Sequence, residues 1–264
     1  MIDYQGKNIL VTGASSGIGA AIACRFAAQG ARLFLAARNL AKLEDVCRRC
    51  KDAGAPQAEA FVVDFSSEAS IDAFVETVKE RGISFDCLVL NAGISQRALT
   101  LDTDISVDRK IMETDYFGPV YLTKKLSYML RSAQLVNIAV TSSISGLFGF
   151  PLRSAYCAAK AALFGFFEAL ELENSNIKVT FLIPGRINTE ISKSAVLGDG
   201  STYSQMDAGQ ANGMDVDKCA KIAVRAISRC KHRQLIGGVE LLMVYIKKYC
   251  PALFFKLAGK VSAT

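Results

Sequence analysis

Short apolar runs recur along the chain, each four to seven residues long and each followed by an amphipathic stretch. This alternation limits the fold more than any other feature. Runs of that length, rich in Val, Ile, Leu and Phe and bounded by turn residues, are strands buried on both faces. The stretches between them carry apolar residues at helical spacing, so strand and helix alternate and the strands must pair in parallel. The pattern predicts seven strands, at 8–12, 32–36, 58–64, 87–90, 135–141, 178–183 and 235–238. Helices are expected over about 17–29, 39–53, 68–81, 105–131, 154–174 and 216–230. The expectation is one doubly wound α/β domain over residues 1–264 with a seven-stranded parallel sheet.

Residues 188–215 break the rhythm, with Gly198, Gly200, Gly209 and Gly213 among small polar residues. Placed after the sixth strand, where ligands enter a parallel sheet, this segment is expected to close over a substrate.

The first apolar run leads directly into Thr12-Gly13-Ala14-Ser15-Ser16-Gly17-Ile18-Gly19. Glycines between a strand and a helix let the backbone turn sharply and approach a pyrophosphate, whose charge then faces the helix N-terminus. That context makes Gly13, Ser15, Ser16, Gly17, Ile18 and Gly19 dinucleotide-binding candidates and specifies the Rossmann form of the fold. The second strand ends in Leu35-Ala36-Ala37-Arg38. A carboxylate there would hold a ribose 2′-hydroxyl; Arg38 instead offers planar donors suited to a 2′-phosphate, which points to NADP(H). Asp64, with Phe65 after it, ends the third run, and Asn91-Ala92-Gly93 ends the fourth, all at the edge where such a cofactor would lie.

Tyr156 and Lys160 lie four apart on a predicted helix and project from one face. A free phenol ionises near pH ~10, and a neighbouring ammonium favours its anionic form, so the pair can exchange a proton closer to neutrality. A Tyr-x-x-x-Lys pair alone is common. It gains weight from Ser143, thirteen residues upstream and just past an apolar strand, whose hydroxyl could hold a substrate oxygen. Ser142 and Ser145 are the alternatives if the register differs.

Taken together, these residues resemble the short-chain dehydrogenase/reductase family along essentially the whole chain. The resemblance rests on residues 12–19, Asp64, residues 91–93, Ser143, residues 156–160, and Pro184-Gly185-Arg186-Ile187-Asn188-Thr189. Residues 112–119 (METDYFGP), Pro151 and Arg153-Ser154-Ala155-Tyr156 look like the branch called dehydrogenase/reductase member seven. The resemblance implies that Asp64 lies near the adenine, Asn91 near its ribose, and Ile187 and Thr189 at the nicotinamide carboxamide, with Phe65, Pro184 and Gly185 in the cofactor set. It implies a homodimer or homotetramer built through the long helices. It also implies hydride transfer between NADP(H) and a carbonyl or secondary alcohol, with Tyr156, Lys160 and Ser143 as the catalytic residues. One departure stands out. Asp115 occupies a position where the family usually has Asn, which there holds a helix kink in the proton relay; Asp115 can accept hydrogen bonds but has no amide to donate. A nucleotide-binding scaffold with impaired turnover is the competing reading. A sugar-nucleotide epimerase also shares the Tyr/Lys pair, but the short region after Thr189 leaves little room for its substrate domain.

Charge, cysteines and termini bound the remaining possibilities. Formal net charge is +6, yet residues 218–264 hold ten Lys/Arg against the single acid Glu240, a local +9 that leaves about −3 elsewhere. That split argues against nucleic acid and singles out the C-terminal surface. Within 239–264, residues 241–246 (LLMVYI) and 251–256 (PALFFK) flank Lys247 and Lys248. Pro251 is expected to divide them into two short helices that either cover the sheet or a subunit interface, or lie in a membrane interface. The eight cysteines have no framework spacing, and the polar start running into the first strand predicts no leader, hence a cytoplasmic protein with free thiols. Cys47-Arg48-Arg49-Cys50 spells C-x-x-C late in a helix, outside any thioredoxin-like context. His232, the only histidine, has no metal-ligand partners at useful spacing.

Overall fold

The computed structural model describes residues 1–258. The end of the C-terminal segment, residues 259–264, lies outside the described residues. Seven parallel strands form one sheet in the order β3-β2-β1-β4-β5-β6-β7. They are β1 Asn8–Thr12, β2 Arg32–Ala37, β3 Gln57–Val62, β4 Cys87–Leu90, β5 Val136–Thr141, β6 Ile177–Pro184 and β7 Arg233–Ile236. The order reverses between β1 and β4, which opens a crevice at the C-terminal ends of those two strands. β4 and β5 are buried at every position, so their continuous apolar sequence follows from helices on both faces.

The helices are α1 Gly17–Ala27, α2 Leu40–Asp52, α3 Glu68–Glu80, α4 Ile105–Met112, α5 Gly118–Lys125, α6 Ser127–Ser132, α7 Ser154–Glu173, α8 Ala208–Ala211, α9 Val216–Ser228, α10 Leu242–Tyr249 and α11 Pro251–Ala258. Helices α1, α2 and α9 bury Phe26, Leu43, Ala223 and Ile227 against one face of the sheet. Helices α3, α5, α6 and α7 bury Phe74, Leu122, Met129 and Phe167 against the other. Polar caps begin three of these helices. Asn39 Oδ1 accepts from Lys42 N at 3.0 Å, Ser67 Oγ from Ser70 N at 3.3 Å and Asp215 Oδ1 from Lys218 N at 2.9 Å.

Three sequence expectations need correction. The helix expected over 105–131 is three helices: α4 passes through a π-helical turn at Glu113–Phe117 before α5 begins, and Leu126 separates α5 from α6. Pro119 has no N–H for the carbonyl four residues back, that of Asp115, and a widened turn absorbs the loss. Gly118 then lets the chain pass the turn after β3, because a Cβ there would lie 2.2 Å from the Phe65 carbonyl oxygen. β3 ends at Val62, so Asp64 sits in a turn where its Oδ1 accepts from Ser66 N at 2.9 Å and Ser66 Oγ at 2.7 Å. β7 begins and ends two residues earlier than expected, since Gly238 turns out of the sheet to donate its N–H to Glu240 at 3.0 Å. Residues 188–215 contain a 3-10 turn at Glu190–Ser192, helix α8, and bridges Gln96↔Val196, Ile187↔Met214 and Val196↔Thr202.

The C-terminal residues do form two helices divided at Pro251. Their faces differ. Phe254 is 2% exposed and meets Phe148 edge-on at 5.1 Å, whereas Leu253 and Phe255 remain exposed. Among the described residues, no helix is long and apolar enough to cross a membrane.

Candidate active site

The crevice at the strand-order reversal is a cleft of about 490 Å³ reaching from Arg38, Asn39 and Lys42 at one end to Tyr156 and Lys160 at the other. Its floor is bare backbone. Gly13 and Gly17 adopt φ of +64° and +55°, in the left-handed region that favours glycine. A Cβ on Gly13 would lie 2.8 Å from Ala92 Cα, and one on Gly19 would lie 2.4 Å from the Gly13 carbonyl oxygen. Ser16, which precedes α1, makes no side-chain bond to the helix, so the first amides of α1 keep their donors for an anion. Thr12 Oγ1 accepts from Asn91 N at 2.9 Å and Ala92 N at 3.0 Å, tying the ends of β1 and β4 together. These features fit a dinucleotide: donors without side chains at the centre and cations at one end.

Of the residues named from sequence, Gly13, Ser15, Ser16, Gly17, Ile18, Arg38, Asp64, Phe65, Asn91, Ala92, Gly93, Asp115, Tyr156, Lys160, Pro184 and Thr189 all line this cleft. Three cofactor candidates do not. Gly19 lies beneath the loop against Asn91, Gly185 packs under the Glu240 carboxylate, and Ile187 is buried in the core behind α1 and α9. Lys42, Lys193 and Thr202 also line the cleft and were missed. Lys42 carried a signal, since it lies one helical turn past Arg38, but the loop residues had none.

Tyr156 and Lys160 share the inner face of α7, with Lys160 Nζ 5.7 Å from the phenol ring centre. Lys160 is 4% exposed. Its ammonium donates to the Thr141 carbonyl at 3.2 Å and lies 3.1 Å from Asp115 Oδ2, while Asp115 Oδ1 accepts from Ile94 N at 2.8 Å. Burial pushes the Asp115 carboxyl above the usual carboxylate range. Burial works the other way on Lys160, but Asp115 and Tyr156 outweigh it and hold the ammonium above its ordinary value. Lys160 opposes the Asp115 shift and Asp115 supports the Lys160 shift, so each group offsets part of the other's burial penalty. At Asp64, the two hydrogen bonds from Ser66 outweigh partial burial and hold the carboxyl low.

Ser143 faces a separate small cavity of about 60 Å³, with Phe148, Arg153, Arg186 and Met243 in its wall. Its Oγ accepts from Ser145 N at 3.1 Å and donates to the Pro184 carbonyl at 3.4 Å. The register alternatives are used differently. Ser142 Oγ donates to the Lys160 carbonyl at 2.8 Å and anchors α7, whereas Ser145 lines the same cavity as Ser143.

A buried charge cluster beside this cavity escaped sequence reasoning. Arg97 and Asp207 are paired with side chains 1% and 2% exposed, the Arg97 Nε–Oδ2 distance being 3.0 Å, and Arg153 Nη2 approaches the same oxygen at 3.4 Å. Burial, with Arg97 nearby, lowers Arg153 to about 10. Arg97 and Asp207 are 110 residues apart, a separation that leaves no local signal. The adjacent Gln96 supplies the missing cap of α7, its Oε1 accepting from Ala155 N at 3.0 Å.

Residues 7–199 match the family model described as short chain dehydrogenase. The chain is 40% identical over 257 residues to the mouse protein named "Dehydrogenase/reductase SDR family member 7B", covering 94% of this chain and 79% of that one. Among solved structures, it resembles a short chain dehydrogenase/reductase from Burkholderia phymatum in complex with NAD, with a TM-score of 0.82 and 21% identity over 96% of both chains. It also resembles an alcohol dehydrogenase from Thermococcus sibiricus complexed with 5-hydroxy-NADP, with a TM-score of 0.75 and 24% identity over 89% of this chain and 97% of that one.

Proposed function

The chain belongs to the short chain dehydrogenase family, and from that premise we propose that it is an NADP(H)-dependent oxidoreductase that interconverts a carbonyl and a secondary alcohol. Membership makes it an oxidoreductase with a nicotinamide-cofactor fold and does not favour a scaffold without turnover. The observation that carries the reading is the shared placement of Tyr156 and Lys160 in the cleft that also exposes the glycine-loop backbone.

The bound nicotinamide would supply or accept the hydride. The chain's own residues do the rest. Amides at the start of α1 would hold the pyrophosphate, Arg38 and Lys42 would receive a 2′-phosphate, and Asn91, Lys160 and Thr189 would hold the nucleoside ends. Tyr156 gives a proton to the substrate oxygen during reduction and takes one during oxidation. Lys160 supplies positive charge beside the phenol, and Ser143, whose Oγ faces the neighbouring cavity, is assigned to steady the same oxygen where the two cavities would meet on substrate entry. Asp115 reduces the field that Lys160 exerts on the phenol, because its carboxylate lies 3.1 Å from the ammonium. The 188–215 segment is assigned as the lid, supported by Glu190, Ile191, Lys193, Ser194 and Thr202 lining the cleft.

The substrate assigned is lipid-like or steroid-like. Phe148, Phe150 and Met243 give one side of the cavity behind Ser143 an apolar wall, beside the charged Arg153, Arg186 and Glu240. Met243 belongs to α10, whose outer face presents Leu242, Tyr245 and Tyr249 to solvent beside Lys247 and Lys248. That face supports peripheral contact with an anionic membrane. Homodimer or homotetramer assembly through α4, α5 and α7 belongs to the same proposal, supported by exposed Ile105, Phe117 and Leu172.

Tyr156→Phe is expected to abolish turnover on an accepted ketone while NADPH binding stays within a few-fold; near-native kcat would overturn the mechanism. Arg38→Ala should weaken NADPH by roughly ten- to a hundredfold and NADH far less, the value of a charge-assisted phosphate contact of about 1.5–3 kcal/mol. Equal losses by titration would remove Arg38 from the 2′-phosphate site. For Asp115→Asn, turnover should be kept or raised. Because the variant leaves the Lys160 field unopposed, the acid limb of alcohol oxidation should move to lower pH; an unmoved limb, or lost activity in a folded variant, would give the carboxylate another role. Membrane contact is read by co-sedimentation: the protein should pellet with anionic vesicles at low salt, and the exposed double variant Leu253→Ser, Phe255→Ser should release it. Phe254 is left intact in that test because it is core. Absence from the pellet at every lipid composition would assign the face to protein contacts.

A further inference from the structure

The C-x-x-C motif in α2 has its significance outside itself. Cys50, near the end of α2, turns its thiol toward a neighbouring helix. Its Sγ lies 4.0 Å from Sγ of Cys24 in α1, and the Cys50 S–H donates to the Cys24 sulfur. The two sulfurs differ in access: Cys24 is partly exposed and Cys50 is fully buried. The hydrogen bond from Cys50, aided by the Arg49 guanidinium and opposed by burial and by Asp45 and Asp217, holds the Cys24 thiol below its usual range. The same bond, with burial, pushes Cys50 up. One sulfur is thus reachable and inclined to be a thiolate, and the other is a protonated thiol held against it.

We infer that Cys24 and Cys50 form a peroxide-oxidisable dithiol, Cys24 being the sulfur attacked first and Cys50 the one that resolves it into a disulfide between α1 and α2. The chemistry balances. The Cys24 thiolate attacks one oxygen of hydrogen peroxide, the O–O bond breaks, and sulfenic acid and hydroxide form. The Cys50 sulfur then attacks the Cys24 sulfur, and the sulfenic oxygen leaves with the Cys50 proton as water. Two thiols are oxidised by two electrons and one peroxide is reduced. A disulfide needs sulfurs about 2.05 Å apart, so the pair must close by about 2 Å, which side-chain rotation can supply between helices already in contact. The inference stands apart from the proposed reaction, since Cys24 and Cys50 do not line the cleft.

The chain's own trypsin sites make the test specific. Cleavage after Lys7, Arg25, Lys42, Arg48, Arg49 and Lys51 puts Cys24 on peptide 8–25, Cys47 on 43–48 and Cys50 on 50–51. Native full-length protein is treated with a few equivalents of hydrogen peroxide, its remaining thiols are alkylated under denaturing conditions, and the non-reduced digest is read by mass spectrometry. The expected product is peptide 8–25 linked to 50–51, lost on reduction and absent from Cys24→Ser, with eight free thiols falling to six because one pair is consumed. A link between 43–48 and 50–51 would return the chemistry to the sequence motif and overturn the assignment. So would oxidation of Cys24 to sulfinic acid with no link, or eight thiols still free after treatment. Apart from the Cys24→Ser control, each readout comes from the native chain, so the outcome does not depend on a variant folding.

Discussion

The ammonium of Lys160 is the constraint around which the site is arranged. An ammonium that is 4% exposed cannot be left without compensation, because moving an unpaired ion out of water costs several kcal/mol even after relaxation. Two partners compensate it here, the Thr141 carbonyl at the end of β5 and the Asp115 carboxylate in the π-helical turn. Asp115 reaches the ammonium because Pro119 and Gly118 force that turn open, and Ile94 N fixes its second oxygen. Two glycines leave the necessary room. A Cβ on Gly93 would lie 2.8 Å from Asp115 Oδ2 and 3.0 Å from Lys160 Nζ, and one on Gly146 would lie 2.8 Å from the Lys160 carbonyl. One buried charge therefore ties together β4, β5, the α4–α5 turn and α7, the elements that place Tyr156.

What could be read in the sequence was what local spacing encodes. Strand and helix alternation, the glycine turn and the i, i+4 pair of Tyr156 and Lys160 each involve residues whose geometry their immediate neighbours fix, and all survive in the fold. The π-helical turn was also written locally, in Gly118-Pro119, but apolar periodicity on both sides masked it as one long helix. Cys50 illustrates the limit from the other direction. Its motif drew attention to the right residue, while its sulfur partner lies 26 residues earlier on another helix.

Long-range electrostatics left no such trace. The Arg97–Asp207 pair joins the segment after β4 to the beginning of α8, and nothing in either stretch announces the other. Yet it explains why a glycine-rich stretch without periodicity is packed instead of loose. Asp207 also accepts from Arg153 immediately before α7, so the far end of the 188–215 segment is fastened to the helix that carries Tyr156. The segment is closed on itself where Asn188 N donates to the Met214 carbonyl at 2.9 Å, and its middle is tied to the stretch after β4 by Val196 N donating to the Ser95 carbonyl at 2.8 Å.

Strand geometry also separates the cleft from the small cavity beside it. At the end of β5 the chain is extended, so neighbouring side chains diverge: Ser142 is spent on the Lys160 carbonyl, while Ser143 turns toward the small cavity. Three walls of that cavity come from elements distant in sequence. They are Phe148 and Phe150 before α7, Gly209 and Gln210 of α8, and Glu240 and Met243 at the start of the C-terminal segment. Glu240 holds its wall in place, accepting from Arg186 N at 2.8 Å and so linking the exit of β6 to the exit of β7. The cofactor cleft is lined largely by strand ends and the turns that follow them, whose positions the sheet dictates. The small cavity beside Ser143 is assembled from α8, the exit of β7 and helix α10. The shape of that cavity therefore depends on packing between remote segments, and α10 contributes to its wall through Met243.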